Sequence, residues 1–384
     1  MNSRERVRLA LNHQEADRAP FDLGGTGLSS IHVTAYGRLR AHLGLPEAEV
    51  RASHVGEQLA FVHDDMRERL AVDVRPVQPG LASDFAYTFR NQGAYEAYTD
   101  EWGIGWRKPK EGGFYYDMYR HPLATAESLA DLKAHLFPDP LDAGRFAPLR
   151  AQAERARAQG RAAVLAGPCA GILEIYSWLR GYEGFYVDLA LNPDFVAYML
   201  DRLVEFKCAY WERALREVGH LVDAVIEADD LASQKSLLFS PRVYRQLVKP
   251  RHRRLFRFIK DQAPVKVFYH SCGAVRPLIP DLIDAGIDIL NPVQISAAGM
   301  DPVELKREFG HDLVFWGGGV DTQGVLGSGT PTQVKADVER NVAALAPGGG
   351  FVFAAVHDIQ ANVPPENVMA MWEAWQLHGV YAGC

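Results

Sequence analysis

The chain has 384 residues, of which 48% are hydrophobic and 23% charged, and its formal net charge is −7. This length and composition favour either two domains or one large barrel with a sizeable core. The negative charge argues against a nucleic-acid partner and against an anionic membrane surface. We expect a cytoplasmic protein, because the amino-terminal segment lacks the apolar core of a signal peptide and no apolar run approaches the ~20 residues of a membrane span.

The four cysteines do not form a disulfide framework. Cys169, Cys208, Cys272 and Cys384 lie far apart, which fits a reduced compartment. We expect Cys208 to lie in the core or on a helix surface. We expect no specific role for Cys384.

Eight short apolar segments alternate with helical segments along the chain. The strands are predicted near residues 20, 73, 164, 225, 267, 289, 314 and 353. Strands that alternate with helices imply right-handed βαβ units and a parallel sheet, and eight such units favour a closed (β/α)8 TIM barrel. We therefore predict an α/β fold in which residues 1–384 form a single barrel domain.

Capping signals predict several of the helices. Asn2 with Glu5 reads as a capping box, and Asn192-Pro193, Thr330-Pro331 and Pro364-Pro365 are typical helix starts. We also expect a helix near residues 57–70, and one from residue 240 that is kinked or split at residue 250.

Residues 84–121 interrupt this alternation. The segment is rich in aromatic residues, glycine and threonine and has no helical period, which predicts a β-hairpin-rich insertion between the second and third strands. Its aromatic side chains would either form one wall of a pocket for a flat substrate or pack together as a small satellite core.

Polar, glycine-rich and ligand-type residues follow the predicted strands. In a barrel the carboxyl ends of the strands form the functional face, so we expect these side chains to converge. The candidates for substrate binding are Asp22, Gly24, Arg75, Cys169, Asn291, Gln294 and Asp321, and those for catalysis or metal binding are Glu227, Asp229, His270, Cys272 and His357. The glycine turn at residues 24–27 matches neither the dinucleotide nor the P-loop spacing, which favours close approach to a ligand or a plain tight turn over a phosphate site.

The segment VKVFYHSCG at residues 265–273 carries His270 and Cys272 at the end of a predicted strand. Imidazole and thiolate are zinc ligands, and His357 would supply a third from the last strand. A helix that starts just after Cys272 would favour its thiolate form. The alternative is a buried free cysteine beside a hydrogen-bonded histidine.

The acidic cluster after the fourth strand has two interpretations. Glu227 or Asp229 would act as a fourth oxygen ligand or as a general acid or base. Alternatively, the cluster caps a helix and forms salt bridges with arginines.

Several blocks of the sequence resemble the uroporphyrinogen decarboxylase superfamily. They are ADDLASQKSLLFSPRVYRQLVKP, YHSCGAVRPLIPDLIDAGIDILNPVQ, VFWGGGVDTQ and HDIQANVPPENV, preceded by the strand RAPFDLGG. The resemblance runs over nearly the whole chain and implies a (β/α)8 barrel.

That superfamily contains two chemistries. True uroporphyrinogen decarboxylases use no metal and hold a tetrapyrrole through an arginine-bearing segment near the amino terminus, where this chain has FDLGGTGLSS. Cobalamin-linked methyltransferases carry the His-x-Cys pair and a further ligand in the last loop, commonly cysteine, where this chain has His357. The resemblance therefore implies Zn²⁺, a small methylated donor and a separate corrinoid protein as partner. Because only one of the three zinc ligands would carry a negative charge, the metal would keep a net positive charge and be more electrophilic.

Three functions stay open at this point. A zinc-dependent methyltransferase is favoured, a tetrapyrrole decarboxylase is the second, and a non-catalytic small-molecule-binding barrel is the third. The resemblance also leaves a homodimer open.

Overall fold

Parallel strands alternate with helices along most of the computed structural model, which describes residues 1–381. Cys384 lies outside the described residues. In chain order the strands of residues 1–381 are β1 (Ala52–His54), β2 (Leu59–Ala60), β3 (Val74–Val77), β4 (Arg90–Gln92), β5 (Tyr95–Thr99), β6 (Gly105–Pro109), β7 (Asp117–Arg120), β8 (Ala162–Leu165), β9 (Ala224–Ala228), β10 (Lys266–His270), β11 (Ile289–Asn291), β12 (Val314–Trp316) and β13 (Phe351–Val352). Seven of them form one sheet in the order β13-β12-β11-β10-β9-β8-β3, with parallel pairing throughout.

Phe21 closes this sheet into a barrel. It forms a parallel bridge with Phe353, next to the end of β13, and its carbonyl accepts a hydrogen bond of 2.9 Å from the N–H of Asp73, next to the start of β3. The first predicted strand is thus reduced to a single bridge, but it occupies the eighth position of the ring. The prediction of a (β/α)8 barrel is confirmed.

Helices surround the barrel. In chain order they are α1 (Ser3–Ala10), α2 (Val33–His42), α3 (Asp64–Arg69), α4 (Leu129–Ala134), α5 (Ala143–Phe146), α6 (Leu149–Ala158), α7 (Ile172–Arg180), α8 (Tyr182–Leu191), α9 (Pro193–Val218), α10 (Pro241–Val243), α11 (Lys249–Gln262), α12 (Ile279–Ala285), α13 (Pro302–Phe309), α14 (Pro331–Leu345) and α15 (Pro365–His378). A π-helical turn (Tyr244–Val248) joins α10 to α11, and a 3-10 turn (Arg276–Leu278) precedes α12. Within residues 1–381, no helix is both long enough and apolar enough to cross a membrane.

The capping signals are correct, but one predicted helix needs correction and two helices are missing from the prediction. The capping box at Asn2 and the starts at Pro193, Pro331 and Pro365 are observed. The helix predicted near residues 57–70 is wrong in its first half, because residues 59–60 pair with β1 and only Asp64–Arg69 is helical. Helices α7 and α8 were not predicted.

Two apolar layers hold the barrel. One fills its interior with side chains from alternate strand positions, where Phe268 and Trp316 meet with ring centroids 5.3 Å apart. The other lies between the outer faces of the strands and the helices. Helix α1 packs against β3, β8 and β13 and contributes Val7 to the interior layer.

The predicted insertion is a four-stranded antiparallel sheet in the order β4-β5-β6-β7. The rings of Tyr87, Phe89, Trp106 and Tyr116 surround Tyr98, which is 5% exposed. Most of the aromatic residues therefore form a satellite core. The sheet also touches the loops at the carboxyl ends of the barrel strands.

Asp73 joins the amino-terminal segment to the barrel. Its buried carboxylate accepts hydrogen bonds from Arg6 at 2.7 Å, Arg18 at 2.8 Å and the N–H of Phe21 at 2.9 Å. One carboxylate thus holds α1, the closing bridge and the second barrel strand together.

We predict that Asp73→Asn lowers the free energy of unfolding by about 3 kcal/mol, because it leaves two arginines without their buried counter-charge. Urea denaturation measures the change. The matched control is Asp84→Asn at an exposed position, where the expected change is below about 0.5 kcal/mol. Equal losses in the two variants would contradict the role of Asp73.

Candidate metal centre

His270, Cys272 and His357 meet at the carboxyl ends of the barrel strands. One potential ligand atom from each lies within 4.8 Å of the others. The Sγ atom of Cys272 is 3.4 Å from Nε2 of His270, and the two imidazole rings have centroids 5.4 Å apart. The residues that the sequence places on strands five and eight are therefore neighbours in space.

Asn291 fixes the orientation of His270. The parallel register sets the two residues opposite each other on β10 and β11. The Nδ2 group of Asn291 donates to the carbonyl of Trp316 at 2.8 Å, so its Oδ1 atom accepts from Nδ1 of His270 at 2.6 Å. This bond leaves the lone pair of Nε2 directed at Cys272, as in metal-ligating histidines. Asn291 thus supports a candidate ligand, whereas the sequence predicts a contact with substrate.

The turn after Cys272 is tightly held. The N–H of Cys272 donates to Oδ1 of Asp230 at 2.8 Å, and the N–H of Gly273 donates to Oε1 of Gln294 at 2.5 Å. Gly273 has φ +88°, and a Cβ atom there would lie 2.5 Å from the carbonyl oxygen of Ser233. The turn therefore needs glycine, and Gln294, predicted to bind substrate, fastens it.

The surroundings of the cluster are anionic. Burial raises the pKa of the Cys272 thiol, and the next largest causes are the carboxylates of Asp230, Glu174, Asp358 and Glu57. A bound cation would reverse this situation, because a metal deprotonates a coordinating thiol.

The helix predicted to favour the Cys272 thiolate does not act in that way. Only a turn follows the cysteine directly, and the α-helix begins at Ile279. The N–H of Cys272 is occupied by Asp230, and the pKa of the thiol is raised.

Asp358 is a buried carboxylate with one free oxygen beside the cluster. Its Oδ1 atom accepts from the N–H of Ser30 at 2.6 Å, whereas Oδ2 has no hydrogen-bond partner within residues 1–381 and lies 3.5 Å from Nδ1 of His357. Burial raises the pKa of Asp358 to about 7.

These features fit a zinc ion. Zinc takes thiolate sulfur at about 2.3 Å and imidazole nitrogen at about 2.0–2.1 Å, which sets tetrahedral S–N separations near 3.5 Å. The separation between Cys272 and His270 is 3.4 Å. Three protein ligands would leave one position open, as in catalytic zinc sites.

Glu227 does not belong to this cluster. Its side chain leaves β9 on the outer face, where one oxygen accepts from Nζ of Lys207 at 2.7 Å and the other from Nε1 of Trp211 at 2.6 Å. Both partners lie on α9 and are fully buried. The predicted catalytic role is not supported, because both oxygens are held by partners on the helix side.

Asp229 also has a structural role. Its Oδ1 atom accepts from the N–H groups of Leu173 at 2.7 Å and Glu174 at 2.9 Å, which caps α7. Its Oδ2 atom lies 2.8 Å from Nε2 of His252. The helix-capping interpretation is therefore the correct one for this residue.

Glu174 is the acid that the sequence reasoning missed. Burial raises its pKa well above the usual value, and the neighbouring carboxylates of Asp230 and Asp229 raise it further. It lies in the first turn of α7, whose N-cap is Gly171. The apolar residues of ILEIYSWLR at helical spacing, and the glycine followed three residues later by glutamate, are the signals that could have located this helix.

Hydrogen bonds to the carboxylate of Asp22 hold the glycine turn after the first strand. The carboxylate of Asp22 accepts from the N–H of Gly25 at 2.8 Å, from Ser29 at 2.6 Å and from Nε1 of Trp316 at 2.9 Å. Burial raises the pKa of Asp22 to about 6. Gly24 has φ +69°, and a Cβ atom there would lie 2.5 Å from Val62. The plain tight turn is thus the better interpretation.

The remaining predicted substrate residues also have other partners. Arg75 bonds to Gln159 at 3.2 Å on the helix side of β3. The carbonyl of Cys169 lies 3.4 Å from Nζ of Lys207. Burial raises the pKa of the Cys169 thiol to about 12. Asp321 accepts N–H bonds within its own loop at 3.1 Å and 2.9 Å.

The protein is thus a closed (β/α)8 barrel. Two histidines and a cysteine lie together at the carboxyl ends of its strands. The chain belongs to the uroporphyrinogen decarboxylase (URO-D) family, whose model matches residues 117–378. Comparison with curated proteins finds no match.

Among solved structures, a methyltransferase from Methanosarcina mazei is similar over 98% of this chain and 99% of its own, with a TM-score of 0.66 and 20% sequence identity. At this identity the likeness shows a shared fold. An endo-1,4-β-xylanase from Penicillium canescens aligns with 62% of this chain and 81% of its own, at 13% identity. Its TM-score of 0.36 is too low to indicate a shared fold.

We predict that Lys207→Met lowers the free energy of unfolding by about 3 kcal/mol, because it leaves Glu227 as an unpaired buried charge. The matched control is Lys335→Met, whose partner Glu373 forms an exposed ion pair at 2.7 Å. That substitution should cost below about 1 kcal/mol in the same denaturation experiment. Similar losses of unfolding free energy in the two variants would contradict the buried ion pair between Lys207 and Glu227.

Proposed function

We propose that the protein is a zinc-dependent methyltransferase that passes a methyl group from a small methylated donor to a corrinoid carried by a separate protein. The observation that carries this proposal is the His270–Cys272–His357 cluster, whose potential ligand atoms lie within 4.8 Å of one another. The His-x-Cys pair and the fold shared with a methyltransferase support it.

The three ligands would hold the metal through Nε2 of His270, the Cys272 sulfur and an imidazole nitrogen of His357. When bound, zinc would act as a Lewis acid on the heteroatom that carries the methyl group. Asn291 would keep His270 in the required tautomer.

Glu174 is the proposed proton donor. The corrinoid of the partner protein would accept the methyl group and supply the electron pair of the new bond, and the bond between the methyl carbon and the heteroatom would break with its electrons on the heteroatom. Glu174 then gives its proton to that heteroatom, so the demethylated product leaves neutral. A raised pKa keeps this carboxylic acid protonated until the step needs it.

Aromatic side chains near Glu174 fit a small apolar donor. Tyr182, which is 54% exposed, is the first residue of α8, and its pKa is raised by partial burial and then by the charge of Glu174. Trp178 lies one turn further along α7 from Glu174 and packs edge to face on Trp106 of the insertion at 5.6 Å. The insertion sheet and α7 would thus form one wall of the donor pocket.

We predict that purified protein contains about one zinc per chain and that His270→Ala and Cys272→Ala abolish zinc binding. Metal analysis after dialysis measures this. Cys208→Ala is the matched control, because Cys208 lies half-buried on α9 and should leave the zinc content unchanged.

Asn291→Ala should weaken zinc binding by about 10–100-fold without removing a ligand. Competition with a chelator measures the affinity. Unchanged zinc content in the His270 and Cys272 variants would contradict the assignment of the ligands.

We predict that Glu174→Gln lowers methyl transfer to Co(I) cobalamin by about 100-fold while zinc content is retained. Spectroscopy of the corrinoid measures transfer from a panel of methyl ethers, methylamines and methyl thioethers. The control is Glu183→Gln at an exposed position of α8. Equal activity in the two variants would exclude Glu174 as the donor of the proton.

The pH profile provides a second readout. Burial raises the pKa of Glu174 most, the charges of Asp230 and Asp229 after β9 and of Glu57 in the β1–β2 loop raise it further, and the hydrogen bond from the N–H of Gly171 acts in the opposite direction. Because the acid must carry its proton, activity should fall as the pH rises through this raised pKa. The falling limb should be absent in Glu174→Gln.

Decarboxylation is the competing activity. Conversion of uroporphyrinogen to coproporphyrinogen by both the native protein and Cys272→Ala, with no methyl transfer from any donor of the panel, would establish the decarboxylase and overturn the proposal.

A further inference from the structure

A polar groove lies on the outer side of β3, between α3 and α6. Its volume is about 350 Å³, and arginine, glutamine and aromatic side chains line it. None of the three candidate metal ligands lines it. We propose that this groove binds the phosphate group of a small organic phosphate.

Three arginines share one carboxylate in the groove. Within residues 1–381, Asp64 is the one acidic residue that lines it. The Oδ1 atom of Asp64 lies 3.4 Å from Nη1 of Arg67 and 3.9 Å from Nε of Arg75, and Oδ2 accepts from Arg155. The lining therefore carries two more positive than negative charges, which an anion with several oxygens would balance.

Two of these guanidinium groups are buried, and one of them has an N–H without a hydrogen-bond partner. Arg67 and Arg75 are each 5% exposed. The Nε atom of Arg67 has no hydrogen-bond partner within the described part of the chain. Arg75 donates to Gln159 and to the carbonyls of Val72 and Val74 at 3.1–3.3 Å, and its one carboxylate contact, with Asp64, is the long one of 3.9 Å. A buried donor without a partner is costly, so the unused N–H of Arg67, beside the weakly paired Arg75, points to a ligand.

The lowered pKa of Arg75 agrees with this geometry. Burial lowers its pKa to about 10, and the charges of Arg67 and Arg161 lower it further, whereas Asp64 and the exposed Glu68 act in the opposite direction. An anion in the groove would relieve this repulsion. Planar guanidinium groups match phosphate oxygens in pairs, which makes arginine the preferred residue for such recognition.

The size of the groove favours an organic phosphate over the free ion. Its volume of about 350 Å³ is that of a pocket for a small organic molecule. Beside the arginines lie the ring of Phe61, which is partly exposed, and the ring of His63, which meets it edge to face at 5.5 Å. The organic part of the ligand would pack on these rings.

One segment of chain connects the groove to the candidate metal centre. Gly24 and Ser30 line the groove, and the N–H of Ser30 donates to Asp358, which follows His357. Phosphate binding in the groove is nevertheless independent of methyl transfer at the candidate metal centre.

Titration calorimetry with inorganic phosphate at constant ionic strength tests the site. The native protein should show saturable binding, and Arg155→Glu should weaken it at least about tenfold, because a cation is replaced by an anion beside the ligand. Arg155 is 70% exposed at its side chain, so the variant should keep the native thermal unfolding profile.

The matched control is Arg150→Glu on the same helix, where Arg150 faces Glu154 at 3.5 Å and does not line the groove. It changes the net charge equally and should alter the affinity by less than about twofold. Equal weakening in both variants would reduce the effect to general surface charge and overturn the site, as would the absence of saturable binding to the native protein.

A second set of titrations identifies the source of the phosphate. A nucleoside monophosphate and a sugar phosphate are compared with inorganic phosphate and with citrate. Tighter binding of either organic phosphate than of the free ion, with the same loss in Arg155→Glu, supports the proposal. Preference for citrate or for the free ion would overturn the assignment to organic phosphates.

Discussion

The constraint on which the candidate site depends is electrostatic. Three potential metal ligands lie together, and the largest charge effects on the Cys272 thiol come from four acidic residues, which raise its pKa. A thiol in such surroundings stays protonated unless a cation is present. The fold supplies the cluster rigidly, because His270 is fixed by Asn291 across the β10–β11 pair and the following turn is fixed by Asp230 and Gln294. A divalent metal would join these parts into one site.

The architecture and the three candidate ligands could be predicted from the sequence because both follow from periodicity. Short apolar strands that alternate with helices give a barrel, and the carboxyl ends of all its strands meet at one rim. His270 and Cys272 at the end of one strand and His357 after another had to arrive on the same side. The weak first strand was recognisable by its sequence although it survives only as the bridge at Phe21.

The acids could not be assigned in the same way. The strands are buried on both faces, so their sequences do not show which residues point inward. Glu227 points to α9 and pairs with Lys207, which lies twenty positions away in the sequence. Glu174 was missed because a glycine N-cap gives little signal, and its chemistry depends on Asp229 and Asp230, which approach only in the fold. Arg75, predicted at the rim, instead lies at the outer groove, where its relation to Arg67 is equally invisible in the sequence.

X-ray absorption spectroscopy at the zinc edge of the purified protein tests the central claim most directly. The proposed site predicts one sulfur neighbour at about 2.3 Å together with nitrogen or oxygen neighbours at about 2.0–2.1 Å. In Cys272→Ser the sulfur contribution should disappear while the lighter neighbours remain. A native spectrum without sulfur, or a sulfur contribution that persists in the variant, would contradict a zinc centre formed by His270, Cys272 and His357.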